Sequence, residues 1–246
     1  MPSSDPKAIT FQPDIYPKVL ALLPDGAGLR VLDAGAGEGY FSRALKERGC
    51  AVEACGLPAG AFKVEGVVFH EADLAEAIPL RDGAFDCVVS IEVMEHVENH
   101  ARFVREALRV TRPGGTIIIT TPNVLSAAGR LHFLLFGLTD ATKRPPDPAA
   151  ADPSSLHVNP VLLPELVYHA ERAGGEVVAV HANRYRLSAV LAGVLLYPIL
   201  LAALHLRLFG KPRHRAQFPY FRRQLRLMLS PAAVFGRILI AVIKKR

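Results

Sequence analysis

Hydrophobic and polar positions follow two periods between residues 29 and 120. "LRVLDAG" is a short apolar run that ends in an acid and a glycine, the pattern of a strand buried in a parallel sheet. "YFSRALKERG" spaces its apolar residues as an amphipathic helix and closes on Gly49. "CAVEACG", "VVFHEAD" and "AFDCVVSIEV" predict three further strands, the last bounded by the turn "RDG". "HARFVREALRVTRPGG" predicts a helix stopped by Pro113 and the two glycines after it, and "TIIITTPN" a fifth strand. Strands alternating with helices require a parallel sheet with right-handed crossovers. The crossover from Leu57 to Gly66 is near the lower length limit for a parallel connection, so any helix there is vestigial.

Beyond Asn123 the pattern changes. "VLSAAGRLHFLLFGL" predicts an apolar helix, "TDATKRPPDPAAADPSS" a proline-rich loop, and "LLPELVYHAERAGG" a helix with Pro164 in its first turn. "EVVAVHA" predicts a sixth strand and "GRILIAVIKKR" a final one. Between those two strands lies "LSAVLAGVLLYPILLAALHL", residues 187–206, which has bilayer length and no charge. A single crossing would strand the last segment on the far side of the membrane, away from its sheet. The chain must therefore return. Three routes allow this: a re-entrant hairpin broken at Pro198, helices lying in the interface, or a cover over an apolar or dimer face.

Charge narrows the choice. Half of the 246 residues are hydrophobic and mean hydropathy is +0.24. From Val177 to Arg246 there are 13 Lys and Arg and no acid, whereas residues 1–176 carry 23 acids against 16 bases, a net −7. Such a tail suits an anionic surface. Nucleic acid is disfavoured, because a basic patch for it needs no twenty-residue apolar neighbour. An anionic membrane surface is the expected partner, with Arg184 and Arg186 before the run and seven basic residues from Arg207 to Arg226 after it. The N-terminal "MPSSDPKAITFQPD" is polar, so no signal peptide is expected. Cys50, Cys55 and Cys87 have neither metal nor disulfide spacing and read as reduced thiols of a cytoplasmic protein.

"VLDAGAGEGYF" places Gly35, Gly37 and Gly39 between a strand and a helix, where backbone must approach a ligand. The dinucleotide fingerprint fails, because its last glycine would fall on Tyr40, and no Walker sequence follows. The loop resembles motif I of the class I S-adenosylmethionine-dependent methyltransferases. "EADLAEAIPLRDGAFDCVVSIEVMEHVEN", "RVTRPGGTIIITTPN" and "HVNPVLLPELVYHAERAGGEVVAV" resemble later stretches of that family in the same order. The resemblance implies an α/β, Rossmann-like, seven-stranded sheet with helices on both faces, S-adenosylmethionine as cofactor, and roles for matched residues. Asp33, Ala34, Gly35 and Gly37 would surround the methionine part. Asp73 would hold the adenine amino group, with Leu74 beside it. Ser90 and Ile91 would line the sulfonium. The family usually ends its second strand with an acid that binds the ribose hydroxyls. Gly56, followed by Leu57, stands at that position here, so ribose binding is expected to be weaker or to come from elsewhere.

"IEVMEHVEN" sets Glu92, Glu95 and His96 just past the fourth strand, where α/β sheets bind ligands. Methyl transfer to a hydroxyl needs alignment and removal of a proton, and histidine is the natural base near neutral pH. His96 is the expected catalytic residue, with Glu95 and, in the loop before the helix that leads to the sixth strand, His157. The Glu-x-x-Glu-His spacing also resembles the divalent-metal site of ubiquinone-pathway O-methyltransferases. Two carboxylates and one imidazole make an incomplete shell, and no metal is expected.

Three segments follow: a methyltransferase core at 1–182 with a cap at 124–156, an apolar and basic helical insertion at 183–236, and a final core strand at 237–246. The expected activity is methylation, O-methylation first, of a small-molecule or lipid-linked amphipathic acceptor at the inner face of the cytoplasmic membrane. The alternatives are a soluble small-molecule methyltransferase, its apolar run buried in a homodimer or tunnel, and a non-catalytic membrane adaptor on the same fold.

Overall fold

The structure is a computed structural model, and residues 13–57, 62–139, 159–209 and 218–246 are described. Seven strands form one sheet: β1 (Arg30–Ala34), β2 (Ala51–Gly56), β3 (Val68–Glu71), β4 (Phe85–Ile91), β5 (Thr111–Pro122), β6 (Gly175–Ala182) and β7 (Ile238–Lys245). Their order is β3-β2-β1-β4-β5-β7-β6. Only β7 runs against its neighbours β5 and β6. The helices are α1 (Tyr16–Leu22), α2 (Tyr40–Glu47), α3 (His100–Val110), α4 (Ala127–Phe136), α5 (Leu163–Arg172), α6 (Leu187–Phe209), α7 (Phe218–Met228) and α8 (Pro231–Phe235).

Strand alternation sorts the core into two layers. Val31, Val89 and Ile118 face α1 and α2, where they meet Val19, Phe41 and Leu45. Leu32, Val88, Ile117 and Ile119 face the other way and pack with Phe103, Leu108 and Leu166 of α3 and α5. A central sheet covered on both faces explains why the strands read as nearly continuous apolar runs. All three cysteines are free thiols; burial pushes Cys55 and Cys87 up to about 12.

Pro113 does not stop a helix. α3 already ends at Val110, where the Thr111 hydroxyl bonds the Ala107 carbonyl at 2.7 Å. Thr111 then pairs with Phe85 and Thr116 with Cys87, so the "RPGG" between them bulges out of β5. A bulge is a place in a strand where proline's missing donor does no harm.

The apolar run is likewise not a hairpin broken at Pro198, which lies inside one helix, α6. Among the residues whose side chains are described, no helix is long and apolar enough to cross a membrane. α6 docks on the body through Ala189, fully buried, and Gly193, where an added Cβ would collide with the Phe235 ring of α8. α4 touches both α6 and α8.

The ends of β4, β5 and β6 and the start of β7 share one rim of the sheet, because β7 is antiparallel. Asn123, just past β5, stitches this rim together. Its side-chain amide donates to the carbonyls of Ala232, Ala233 and Gly236 at 3.2, 2.9 and 2.9 Å, all buried. Asn123→Ala leaves those carbonyls without that donor and is expected to cost about 2–3 kcal/mol, read by urea denaturation.

Candidate active site

β1 delivers the glycine loop to the rim. The Gly35 and Ala36 amides both donate to the Cys55 carbonyl, at 2.8 and 3.2 Å, which clamps the loop to the end of β2. Gly35 has φ of 89°, and a Cβ there would run into the Val93 side chain just past β4. The loop is thus held between β2 and the segment after β4. Gly37 lies beyond it with φ of 53°, and α2 starts at Tyr40.

Asp33 lies beneath the loop. It is 2% exposed, and one oxygen accepts the Ser42 hydroxyl of α2 at 2.6 Å. Burial raises its carboxyl from 3.8 to about 6, against the opposing pull of Ser42. Ala34 is buried at the strand end, and Leu57 is exposed beyond β2. Asp73 is exposed after β3, and its carboxylate accepts the Ala75 amide at 2.8 Å, which fixes it in a local turn; Leu74 beside it is buried. Ser90 is fully buried with no hydrogen-bond partner on its hydroxyl, and Ile91 is half-buried at the end of β4.

Gly56 offers no carboxylate, yet the position has room for one. A Cβ there would make ordinary contacts of 3.6 Å with Gly35 Cα and 3.7 Å with the Ala36 nitrogen. The parallel pairing sets Glu71 of β3 directly alongside Gly56, exposed at the same rim. Sequence reasoning passed over Glu71, because its proximity depends on strand register. Glu53 is not a rim residue; its carboxylate bonds His70 at 2.7 Å from within the strand. Gly56→Asp is expected to fold normally and to tighten S-adenosylmethionine binding by about tenfold, the worth of a charge-assisted hydrogen bond. Calorimetric titration reads the change.

The acidic cluster after β4 is split. Glu92 takes φ of 54°, rare for a residue with a side chain. Its amide donates to the Thr120 hydroxyl and carbonyl, and its carboxylate accepts that hydroxyl at 3.2 Å. Burial raises its carboxyl to about 7, against the opposing pulls of Thr120 and Arg237. Glu95 is 1% exposed, and neither oxygen has a hydrogen bond. Burial, then the charge of Glu92, holds it well above the usual carboxylate range. Two carboxyls so placed cannot both ionise cheaply, and the pair retains a proton near neutrality.

His96 lies on a short 3-10 turn, Met94–His96, and is exposed. Neither it nor Glu95 caps α3; Asn99 does, accepting the Arg102 amide at 2.9 Å. The metal shell suggested by the Glu-x-x-Glu-His spacing is not assembled. Glu92 turns to Thr120, Glu95 is buried and His96 is exposed. Among the described residues no three His, Cys, Asp or Glu gather around a common point. His157 lies outside the described residues.

A family model for a methyltransferase domain matches residues 10–179. This chain belongs to the methyltransferase domain family. Over 131 residues it is 37% identical to the malonyl-acyl-carrier-protein O-methyltransferase of Serratia marcescens, a match covering 52% of this chain and 50% of that protein. It is 31% identical over 129 residues to the ubiquinone biosynthesis O-methyltransferase of Pseudomonas aeruginosa, covering 46% and 55%. The chain thus spans about half the length of these relatives. An S-adenosylmethionine dependent methyltransferase from Mesorhizobium loti shares the fold, with a TM-score of 0.56 over 94% of this chain and 98% of that one at 16% identity. The seven-stranded, Rossmann-like sheet is therefore that of the S-adenosylmethionine-dependent methyltransferases.

Proposed function

We propose that this methyltransferase transfers a methyl group from S-adenosylmethionine to a hydroxyl of an amphipathic or lipid-linked acceptor at the inner membrane face. The observation that carries this reading is the glycine loop, clamped to β2 by two amides and closed on its other side by Val93. A loop with so little side chain admits close backbone approach, which a cofactor without pyrophosphate requires. Gly35, Gly37 and the buried Ser90 hydroxyl are assigned to the methionine and sulfonium part, and Asp73 with Leu74 to the adenine. When bound, S-adenosylmethionine supplies an electrophilic methyl group on sulfur. The chain's own residues align the acceptor and move its proton. His96, exposed at the rim, is assigned to take the hydroxyl proton. Glu92, bonded to Thr120, holds the segment that presents it.

The test is calorimetric titration of the full chain with S-adenosylmethionine, with and without Mg²⁺, followed by transfer of labelled methyl to a membrane lipid extract. Saturable binding and a labelled lipid are expected. No saturable binding in either condition would sink the reading. Gly56 favours a second reading, a non-catalytic membrane adaptor on the same fold. Turnover that disappears in Asp33→Ala would exclude it.

A further inference from the structure

Four consecutive large apolar residues end α4: Phe133, Leu134, Leu135 and Phe136, with 57, 76, 64 and 65% exposure. At about 100° per residue, four in a row point to every side of a helix. The last turn of α4 therefore projects from the body, instead of turning an apolar stripe inward and a polar one outward. Runs of exposed apolar residues this long are selected against unless they bind something. α6, which touches α4, adds an exposed face on the side away from Ala189 and Gly193. Leu187, Leu191 and Val194 there are 74, 65 and 75% exposed.

Both helices leave the same rim. α4 begins five residues after the end of β5 and α6 five residues after the end of β6, and these strands end on the side of the sheet that carries the glycine loop. The patch thus stands beside the site mouth.

We infer that the last turn of α4 and the outer face of α6 form one docking surface for an anionic lipid bilayer, which holds the glycine-loop rim against the membrane. For the acceptor this rests on the proposed function; the docking itself does not. Charge selects the occupant. No acid follows Glu176, while 13 bases do. The last two acids before the insertion, Glu171 and Glu176, both pair with Arg223 of α7, at 3.0 and 2.7 Å. That ties α7 to the start of β6, at the rim opposite the glycine loop; the bases beside the patch are Arg184 and Arg186, immediately before α6. A second copy would bring the same basic surface face to face with itself, at a repulsive cost. An anionic bilayer answers both the apolar patch and the bases. The return of the chain into β7 requires α6 to lie along the surface without crossing it.

The test is flotation of the full chain with phosphatidylcholine vesicles, with and without phosphatidylglycerol, at low and high salt. The variants are Leu134→Gln with Leu135→Gln on α4, Leu191→Gln with Val194→Gln on α6, and Arg184→Gln with Arg186→Gln just before α6. Wild type is expected to float with the anionic vesicles alone. Each apolar pair should weaken binding by at least about tenfold, and the arginine pair should flatten the salt dependence. Circular dichroism should show all variants folded, with S-adenosylmethionine affinity unchanged within about twofold, since none touches the loop. Wild-type affinity of the α4 pair would overturn the inference. So would equal binding to neutral vesicles, or a stable dimer that ignores vesicles. Flotation without cofactor binding would sink the methyltransferase reading and leave the docking intact; cofactor binding without flotation would do the reverse.

Discussion

Gly35→Ala is expected to abolish measurable S-adenosylmethionine binding and to destabilise the fold by about 2–4 kcal/mol. Two costs add. The backbone at Gly35 sits at φ of 89°, where an alanine is strained. The new Cβ also enters the volume of the Val93 side chain, so the loop must move away from the segment after β4. Its amides are held by the Cys55 carbonyl at 2.8 and 3.2 Å, so it cannot move without losing those bonds. Adding Val93→Ala removes the two closest contacts, to Cγ2 and Cγ1 of Val93, but leaves the 3.2 Å approach of its Cβ and the φ strain. The double variant should regain about half of the lost stability, a coupling that denaturation of all four proteins measures. Unchanged cofactor affinity in Gly35→Ala would show that this loop is not the cradle.

Asp33→Asn is expected to make the protein more stable at neutral pH and worse at holding its cofactor. The carboxyl is raised from 3.8 to about 6 by burial. Between those values the folded chain binds more protons than the unfolded one. The group's contribution is therefore fully present below about pH 3.8 and is lost as pH rises through about 6. At pH 7.5 the ionised, buried carboxylate costs about 2–3 kcal/mol relative to its neutral form, which asparagine imitates. Thermal melts of both proteins from pH 4 to pH 8 should diverge as pH rises, with the variant higher. A buried charge retained at such a cost points to use, which on the proposed function is to stand beneath the loop assigned to the methionine part of the cofactor. Calorimetry on the same variant should show weakened S-adenosylmethionine binding. Parallel melting curves across the pH range would place the ionised Asp33 in a better-solvated site than the geometry indicates.

The fold was largely legible in the chain, because burial on both faces of a parallel sheet writes itself as short apolar runs, and helices as their own period. The glycine loop was legible because close backbone approach and positive φ need missing side chains at fixed spacing. "RPGG" was misleading: proline and two glycines mark a helix end in sequence, but here Thr111 had already ended α3 and the four residues became a bulge in β5. The cluster after β4 showed its residue types but not their directions. Spacing put Glu92, Glu95 and His96 together; backbone geometry sent them to Thr120, to the interior and to the exterior.

What the chain by itself determined is local: element type, the glycine loop after β1, and the imbalance of apolar and basic residues after residue 176. Only the tertiary structure decided which distant residues meet. Register set Glu71 beside Gly56. The antiparallel return of β7 gathered the ends of β5 and β6 on the glycine-loop rim, and Gly193 let α6 seat against Phe235 next to α4. These neighbours depend on strand order and close packing, which no window of sequence contains.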